Sequence, residues 1–520
     1  MKFASVSHDL LASPRTITYP CHFSSANPYN QRYNCMDYNF VRCANMPINS
    51  FTDYPMSWKP DRDALKRPLY RSLALLLEHD ITNGFLAPGT KLPPQRELAD
   101  FLDINFTTIT RAYKLCELKG LIYAVTGSGT FVSANAARSI TISKDKISNE
   151  IIDLGFVASF EQSNNIVAEA AKKVTEKGYL EQLLNYNDPT GIPHQKAAAL
   201  NWMADFGIHA DKDNMAIASG ALNALAITLL ALFEPGNRIA VDMYTFSNFI
   251  EISKLYRIKL VPIPGDEHGM LPGELDNQCL QMDVHGVFLM PSCSNPTTVM
   301  IPDYRKRELA AVIRKHRLIL IEDDIHAFLS AGIMADYGQP MFQLLPEQTV
   351  YICSTSKSIC SGLRVAYIVF SEAFKEKIVK AIFNINVKTS SLDAEIISEL
   401  ILSGKASAIA AKKKQLAESA NRLFTEFFPQ LPRTGHPLSF YRWLPISDDA
   451  DGTHMENYFL NKGIRVYHSD RFLSGASTRD KYLRIALSST NSLEELQRGL
   501  AILSSHFPKL IGSRKNPAPL

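Results

Sequence analysis

Lys357 lies in the run Ser354-Thr355-Ser356-Lys357-Ser358-Ile359-Cys360-Ser361-Gly362-Leu363-Arg364, directly after the apolar Thr349-Val350-Tyr351-Ile352-Cys353. Packing alone explains such a strand end poorly, because lysine is among the residues least often buried. An amine placed there can form a Schiff base with an aldehyde, and nearby serines and an arginine can hold a phosphate. Pyridoxal 5'-phosphate (PLP) offers both groups. Taken alone, the run reads more commonly as a surface turn rich in serine and lysine.

Other motifs precede it in a consistent order. Ile217-Ala218-Ser219-Gly220-Ala221 comes before the apolar stretch from Leu222 to Phe233 and reads as a strand end, a small-residue turn and a helix start. Free N–H groups at such a helix start bind phosphate, and glycine lets an anion approach. Asp242-Met243-Tyr244-Thr245-Phe246 follows the strand Arg238-Ile239-Ala240-Val241 and places Tyr244 or Phe246 where a planar ring could stack. Val287 to Pro291 leads into Ser294-Asn295-Pro296-Thr297, and Leu318 to Ile321 runs into Glu322-Asp323-Asp324. Each motif closes an apolar strand, and open α/β sheets bind ligands beyond those carboxyl ends.

The residue types suit PLP. A carboxylate beside the pyridine nitrogen keeps that nitrogen protonated and the ring electron-withdrawing. Asp323 is the candidate, with Asp324 or a solvated loop as the alternatives. Asn295 can donate to the phenolic oxygen, and Arg364 offers a planar, permanently charged fork for the phosphate. Ser354, Ser356, Ser219, Gly220 and Ala221 are the further phosphate candidates.

On these motifs, residues 153–510 resemble the fold-type I, class I aminotransferases. The Ser354–Arg364 run is similar to that family's lysine signature, Ser294–Thr297 to its Asn-Pro-Thr segment, and Glu322–Asp324 to its acidic strand end. The resemblance implies an α/β PLP-dependent transferase-like domain. It further implies that Tyr186, in Tyr186-Asn187-Asp188-Pro189-Thr190-Gly191, reaches a neighbouring subunit's phosphate. Arg484, in Tyr482-Leu483-Arg484-Ile485-Ala486, would grip a substrate or effector carboxylate. Three positions depart from the family: Thr298 for the usual Gly, Ser361 for the usual Pro, and Asp323-Asp324-Ile325-His326 without the expected Tyr. His326 and Cys360 are read as packing or hydrogen-bonding residues.

Composition sets the frame for these motifs. The 520 residues are 46% hydrophobic and 21% charged, enough for two to four ordinary globular domains. The net charge of +3 demands no polyanionic partner. Eight cysteines without a C-x-x-C pair point to a reducing, cytoplasmic setting rather than to disulfides or zinc. No apolar stretch approaches a membrane span, and Met1 to Pro14 lacks a secretory core. Residues 1–55, rich in Asn, Ser, Tyr and Pro, are expected to be disordered. Met36, Met46 and Met56 are alternative starts, and Met56 is the suspected one.

From Pro68 the pattern turns helical. Leu69, Leu73, Leu77 and Ile81 form one apolar face. A second helix follows Pro94, and a third is expected over Thr107–Lys119 with Ile109, Ala112, Tyr113 and Cys116 inward. Two short strands around Thr126-Gly127-Ser128-Gly129 complete a winged helix-turn-helix, whose third helix enters the major groove. Thr107, Thr108, Thr110, Arg111 and Lys114 face outward and can meet phosphates or base edges. Residues 56–135 hold ten Lys/Arg and eight Asp/Glu, a weak basic footprint, so an interaction module remains an alternative on pattern alone.

Leu92 to Ala99, Thr110 to Tyr113 and Gly127 to Val132 resemble the GntR-type DNA-binding domain. That resemblance places Arg96, Arg111, Gly129 and the adjacent Thr130 against double-stranded DNA. Asn105-Phe106 stands where the family usually has Ser-Arg. A GntR-type head (residues 56–135), a 136–152 linker, an aminotransferase-like body (153–510) and a tail (511–520) together resemble the MocR regulators. The resemblance implies a homodimer that senses PLP or an amino compound and controls operator binding. A working aminotransferase carrying a DNA-binding head is the alternative. A third reading is a DNA-binding protein whose body has lost PLP, against which the intact Lys357, Asp323, Asn295 and Arg364 argue.

Overall fold

The computed structural model describes residues 56–125, 127–133, 136, 140–142, 151–330, 337–432, 434–446, 452–475, 478 and 480–507. The expected disorder of 1–55, most of the linker and the 511–520 tail lie outside the described residues.

The head contains helices Leu69–Thr82, Gln95–Leu102 and Phe106–Leu118, then strands Ile122–Val125 and Gly129–Val132 in an antiparallel hairpin. Leu73, Leu77, Leu98, Ile109, Tyr113 and Val132 share one apolar core. The third helix starts one residue earlier than expected. Asp103 turns the chain with φ +47°, and the Asn105 side chain caps the helix by accepting from the Thr107 N–H at 2.8 Å.

The body is built on a seven-stranded sheet. Its strands run, across the sheet, Met215–Ala218, Ala366–Val369, Thr349–Ser354, Ile319–Asp323, Gly286–Leu289, Arg238–Asp242 and Lys259–Ile263. Pairing is parallel except where Ala366–Val369 meets both of its neighbours. The strands Gly286–Leu289, Thr349–Ser354 and Ala366–Val369 are buried along their whole length, as expected of a sheet covered on both faces. Strand direction therefore brings Ser219, Asp242, Asp323 and Ser354 to one edge.

A second layer carries the three-stranded sheet Tyr441–Ile446, Lys481–Ala486 and Tyr467–His468, with helices Lys405–Phe427 and Leu493–His506. The start of the body is tied to it. Ile152–Asp153 pairs in parallel with Ile464–Arg465, and the Ala486 N–H donates to the Leu154 carbonyl at 2.7 Å. These bonds lay the next residues, Gly155 to Ser159, over the carboxyl edge of the large sheet.

Head and body also touch. The Lys259 ammonium donates to the Glu117 carboxylate near the end of the third helix. The Lys254 stem packs so closely on Gly120 that a Cβ there would lie 2.9 Å from it. On the linker, the Ile142 N–H donates to the Asn248 side chain at 3.0 Å, and the Asn248 amide returns a bond to the Ile142 carbonyl at 3.3 Å. Among the described residues no helix is long and apolar enough to cross a membrane.

Candidate functional site

Lys357 sits in the one-turn helix Thr355–Ser358, which Ser354 caps by accepting from the Ser356 N–H at 3.2 Å. Its ammonium donates to the Val157 carbonyl and to that of Ala158 at 3.3 Å. Burial pushes the amine down to about 7, helped by the like charges of Lys413, Arg484 and Arg364. A lysine neutral near physiological pH is a nucleophile toward an aldehyde.

Asp323 ends its strand 1% exposed, and neither carboxylate oxygen has a hydrogen-bond partner among the described residues. Burial first, and the charge of Asp324 second, raise it to about 7. An unpartnered buried carboxyl is costly unless a cationic or N–H group meets it. A protonated pyridine nitrogen is such a group. Asp324 differs, since its carboxylate already accepts from the Tyr337 hydroxyl at 3.2 Å. His326 is buried against Phe440 and Tyr441, and burial lowers it to about 3, so it is a neutral packing ring.

Asn295 and Arg484 meet directly. The Arg484 Nη1 donates to Asn295 Oδ1 at 3.0 Å, and Nη2 donates to the Gly155 carbonyl at 2.6 Å. With its oxygen so occupied, the Asn295 amide has its NH2 as the group that could donate to a ligand. Arg484 is 2% exposed, lies 4.7 Å over the Phe472 ring, and is lowered by burial to about 10.

The phosphate candidates form a cup. Arg364, exposed with φ +52°, donates to Ser356 Oγ at 2.8 Å and the Ser361 carbonyl at 3.2 Å. Gly220 has φ +92° and opens the helix Ala221–Leu232, and a Cβ on it would fall 2.2 Å from Arg364 Nη2. The Ser219 hydroxyl lies 3.0 Å from the Asn386 amide and 3.2 Å from Thr389 Oγ1. A helix start, a glycine and a guanidinium at one point suit an anion. Asn386 and Thr389 join this cup unannounced by any motif.

Of the two aromatic candidates, Tyr244 is engaged elsewhere. Its ring packs on Trp443 and Tyr482 and its hydroxyl bonds Thr478 and the Asp480 carbonyl. Phe246, partly buried at the start of helix Ser247–Leu255, is the ring left for stacking. Tyr186 is 87% exposed and touches no other candidate, so this chain alone does not bring it to the cup.

Lys413 is a further group that motif reading missed. It is 1% exposed on helix Lys405–Phe427, and its ammonium donates to the Ile359 carbonyl at 2.9 Å, the Lys357 carbonyl at 3.3 Å and Ser159 Oγ at 3.2 Å. Its helical spacing with Ala406, Ile409, Ala410, Ala417 and Ala420, all buried, was the available signal. At the departures, Thr298 adopts φ +65° with its side chain against Gly435, and Ser361 donates to Glu161 at 2.6 Å.

On the head, Arg96, Thr107, Arg111 and Lys114 are exposed, and Thr108 is half-buried. Two threonines are less free than the sequence suggested. The Thr107 hydroxyl donates to the Asn105 cap at 2.7 Å, and the Thr110 hydroxyl to Gln95 at 2.8 Å. At the wing, Gly129 has φ +120°, and a Cβ there would meet the Lys91 stem at 2.9 Å, so Lys91 lies beside Gly129 and Thr130.

A cluster of anion-suited groups on an α/β body and a winged helix-turn-helix head thus define a two-part protein. Residues 150–503 match the family described as aminotransferase class I and II, and 69–132 match bacterial regulatory proteins of the gntR family. The chain belongs to the class I and II aminotransferase family in its MocR-like form, with a gntR-type head. It is 35% identical over 458 residues to the uncharacterized HTH-type transcriptional regulator YdeF of Bacillus subtilis, covering 88% of this chain and 98% of that one. It is 20% identical to the HTH-type transcriptional regulator NorG of Staphylococcus aureus, covering 78% and 97%. In fold it is similar to an archaeal alanine:glyoxylate aminotransferase, with TM-score 0.64 at 19% identity over 69% of this chain and 91% of that one. A Pyrococcus horikoshii kynurenine aminotransferase gives 0.63 at 18% identity over 70% and 92%. Domains of the class I and II family typically bind PLP.

Proposed function

We propose that this chain is a PLP-responsive transcriptional regulator. Its body holds PLP and takes an amino compound as effector, and the occupied body changes how the head engages operator DNA. When bound, PLP supplies an electron-withdrawing ring and an aldehyde onto which amines can exchange. Lys357 would hold the aldehyde carbon, Asp323 the ring nitrogen and Asn295 the ring oxygen. Arg364, Ser354, Ser356, Ser219, Gly220 and Ala221 would hold the phosphate. Phe246 would cover one ring face, and Tyr186 would reach the cup of a second copy. Arg484 would bind an effector carboxylate.

One observation carries the regulatory reading. The segment Gly155–Ala158, which follows the linker, is fastened by two groups a ligand would need. Gly155 is held by Arg484, Val157 and Ala158 by Lys357, and Ser159 by Lys413. An amine committed to an aldehyde, or a guanidinium gripping a carboxylate, gives up donors that these carbonyls use. Ligand and segment therefore compete for the same hydrogen bonds, and that differential contact is what coupling requires. The linker clamp at Asn248, two residues after Phe246, and the Glu117–Lys259 ion pair continue the path to the head. In a dimer, two heads would sit on paired half-sites.

The test is DNA footprinting upstream of the chain's own gene, with and without PLP and candidate amines. Wild type should change its footprint with ligand. Lys357→Ala should bind DNA and ignore the ligand. A Lys357→Ala protein that responds like wild type would sink the reading. The neutral Lys357 amine also favours a second one, slow amino-group transfer, which multiple turnover with an amino acid and a 2-oxo acid would establish.

A further inference from the structure

The face of the head that meets DNA carries one residue foreign to its surroundings. Phe106 is the first residue of the third helix and is 43% exposed, outside the apolar core of the head. Its neighbours across the outward face are the exposed Thr107, Arg111 and Lys114. Two nearby hydroxyls are already engaged, Thr107 with the Asn105 cap and Thr110 with Gln95 and the Phe106 carbonyl. Arg96, from the preceding helix, holds its guanidinium carbon 6.0 Å from the Phe106 ring centroid. The ring is thus presented to solvent, with a cation placed on it.

Covering this ring with an apolar group of a ligand would take apolar surface out of water and favour binding. Among the four bases only thymine presents an apolar methyl group in the major groove, at C5. The N-terminal residues of a recognition helix are those that reach base edges. An arginine at this position would seek a phosphate or a guanine, and a phenyl ring can do neither.

We propose that Phe106 is a sequence-reading residue whose ligand is the C5 methyl of a pyrimidine in the operator, with Arg96 held by the ring toward the neighbouring phosphate or base. This rests on the DNA-binding half of the function proposed above and not on PLP.

Full-length protein is used to select duplexes from a random library, and single thymines in the best duplex are then replaced by uracil, which removes only the methyl. Wild type should lose about fourfold in affinity at one thymine per half-site, the worth of one buried methyl-sized group. Phe106→Ala should bind the thymine duplex more weakly and show no difference between thymine and uracil there. Phe106→Arg should relax selection at that position and steepen the salt dependence by about one unit of slope. Placing cytosine or 5-methylcytosine at the same position separates the two natural sources of the methyl. An effect of the methyl on either base supports the proposal. Identical thymine-to-uracil ratios for wild type and Phe106→Ala would overturn it. A wild type that binds DNA without selecting a sequence would overturn this proposal alone, whereas one that binds no DNA would overturn the DNA-binding reading beneath it as well.

Discussion

Asp323 and Phe106 are both side chains without a proper partner, and for opposite reasons. Asp323 is 1% exposed, and its two oxygens have no hydrogen-bond partner among the described residues. Phe106 is 43% exposed, and its ring faces water. The body prepares its ligand site by burying polar groups, which the fold must pay to keep dry. The head prepares its site by leaving an apolar group wet. On the readings proposed above, each misfit would mark where another molecule belongs, and its sign would give the chemistry, a cationic ring nitrogen in one case and an apolar methyl in the other.

The largest way to test this contrast is Asp323→Asn. If the carboxyl waits for a protonated nitrogen, the variant should retain PLP about a hundredfold more weakly, the scale of removing one partner from a buried charge pair. The cofactor-free protein should respond the other way. Asp323 is raised to about 7 from 3.8, so between those values the folded state binds more protons than the unfolded one. Wild-type stability then falls as pH rises through that window and levels off above it. Asparagine has no such term, so the melting temperature of the variant should exceed wild type by more at pH 8 than at pH 5. Equal PLP retention by both proteins would break the contrast.

Arg111→Ala comes next, on the other side of the comparison. It should weaken operator binding about tenfold and flatten the salt dependence, while PLP retention stays unchanged. Electrophoretic mobility at several salt concentrations reads both. Unchanged affinity would remove the third helix from the DNA interface.

Lys413→Met sharpens the body's half. The Lys413 ammonium braces the turn that carries Lys357 and opposes a second positive charge there. Lys357 must be unprotonated to attack an aldehyde, so capture should fall as pH drops through about 7. Without Lys413 that midpoint should rise by about one pH unit, a scale typical of a neighbouring charge. Lys413→Arg should restore it. Borohydride trapping of bound PLP across a pH series, followed by mass spectrometry, provides the measurement. Lower capture at every pH with a fixed midpoint would mean that Lys413 only supports the fold.

What could be read from the sequence follows the same division. The strand-end motifs were legible because a buried apolar run that stops in Ser, Asp, Asn or Lys has few explanations, and the fold gathers Lys357, Asp323, Asn295 and Arg484 at one edge. Lys413 hides in Lys412-Lys413-Lys414, which looks like a solvated run although one of the three falls on the buried helix face. The Gly155–Ser159 contacts were not legible at all, since they join backbone carbonyls to side chains about 200 to 330 positions away. On the head, helix periodicity put Thr107, Arg111 and Lys114 on the exposed face, while Thr108 and Thr110, expected there too, are half-buried. It could not show that Thr107 and Thr110 spend their hydroxyls locally, because capping depends on the backbone angle at the helix start.

The smallest expected effect lies where the two regions meet. The Glu117–Lys259 pair is only partly shielded, with side chains 29% and 17% exposed, so it should contribute no more than about 1 kcal/mol to stability. Glu117→Ala should therefore leave the melting temperature and the ligand-free operator affinity nearly unchanged. Its effect should show in the ratio of operator affinities with and without ligand, because that ratio depends on whether the head follows the body. A charge-swapped protein, with Glu117→Lys and Lys259→Glu together, should regain the ratio lost in either single variant. Single variants that keep the full ligand response would mean that the signal passes through the linker at Asn248 alone, leaving Phe106 and Asp323 joined by covalent chain rather than by this contact.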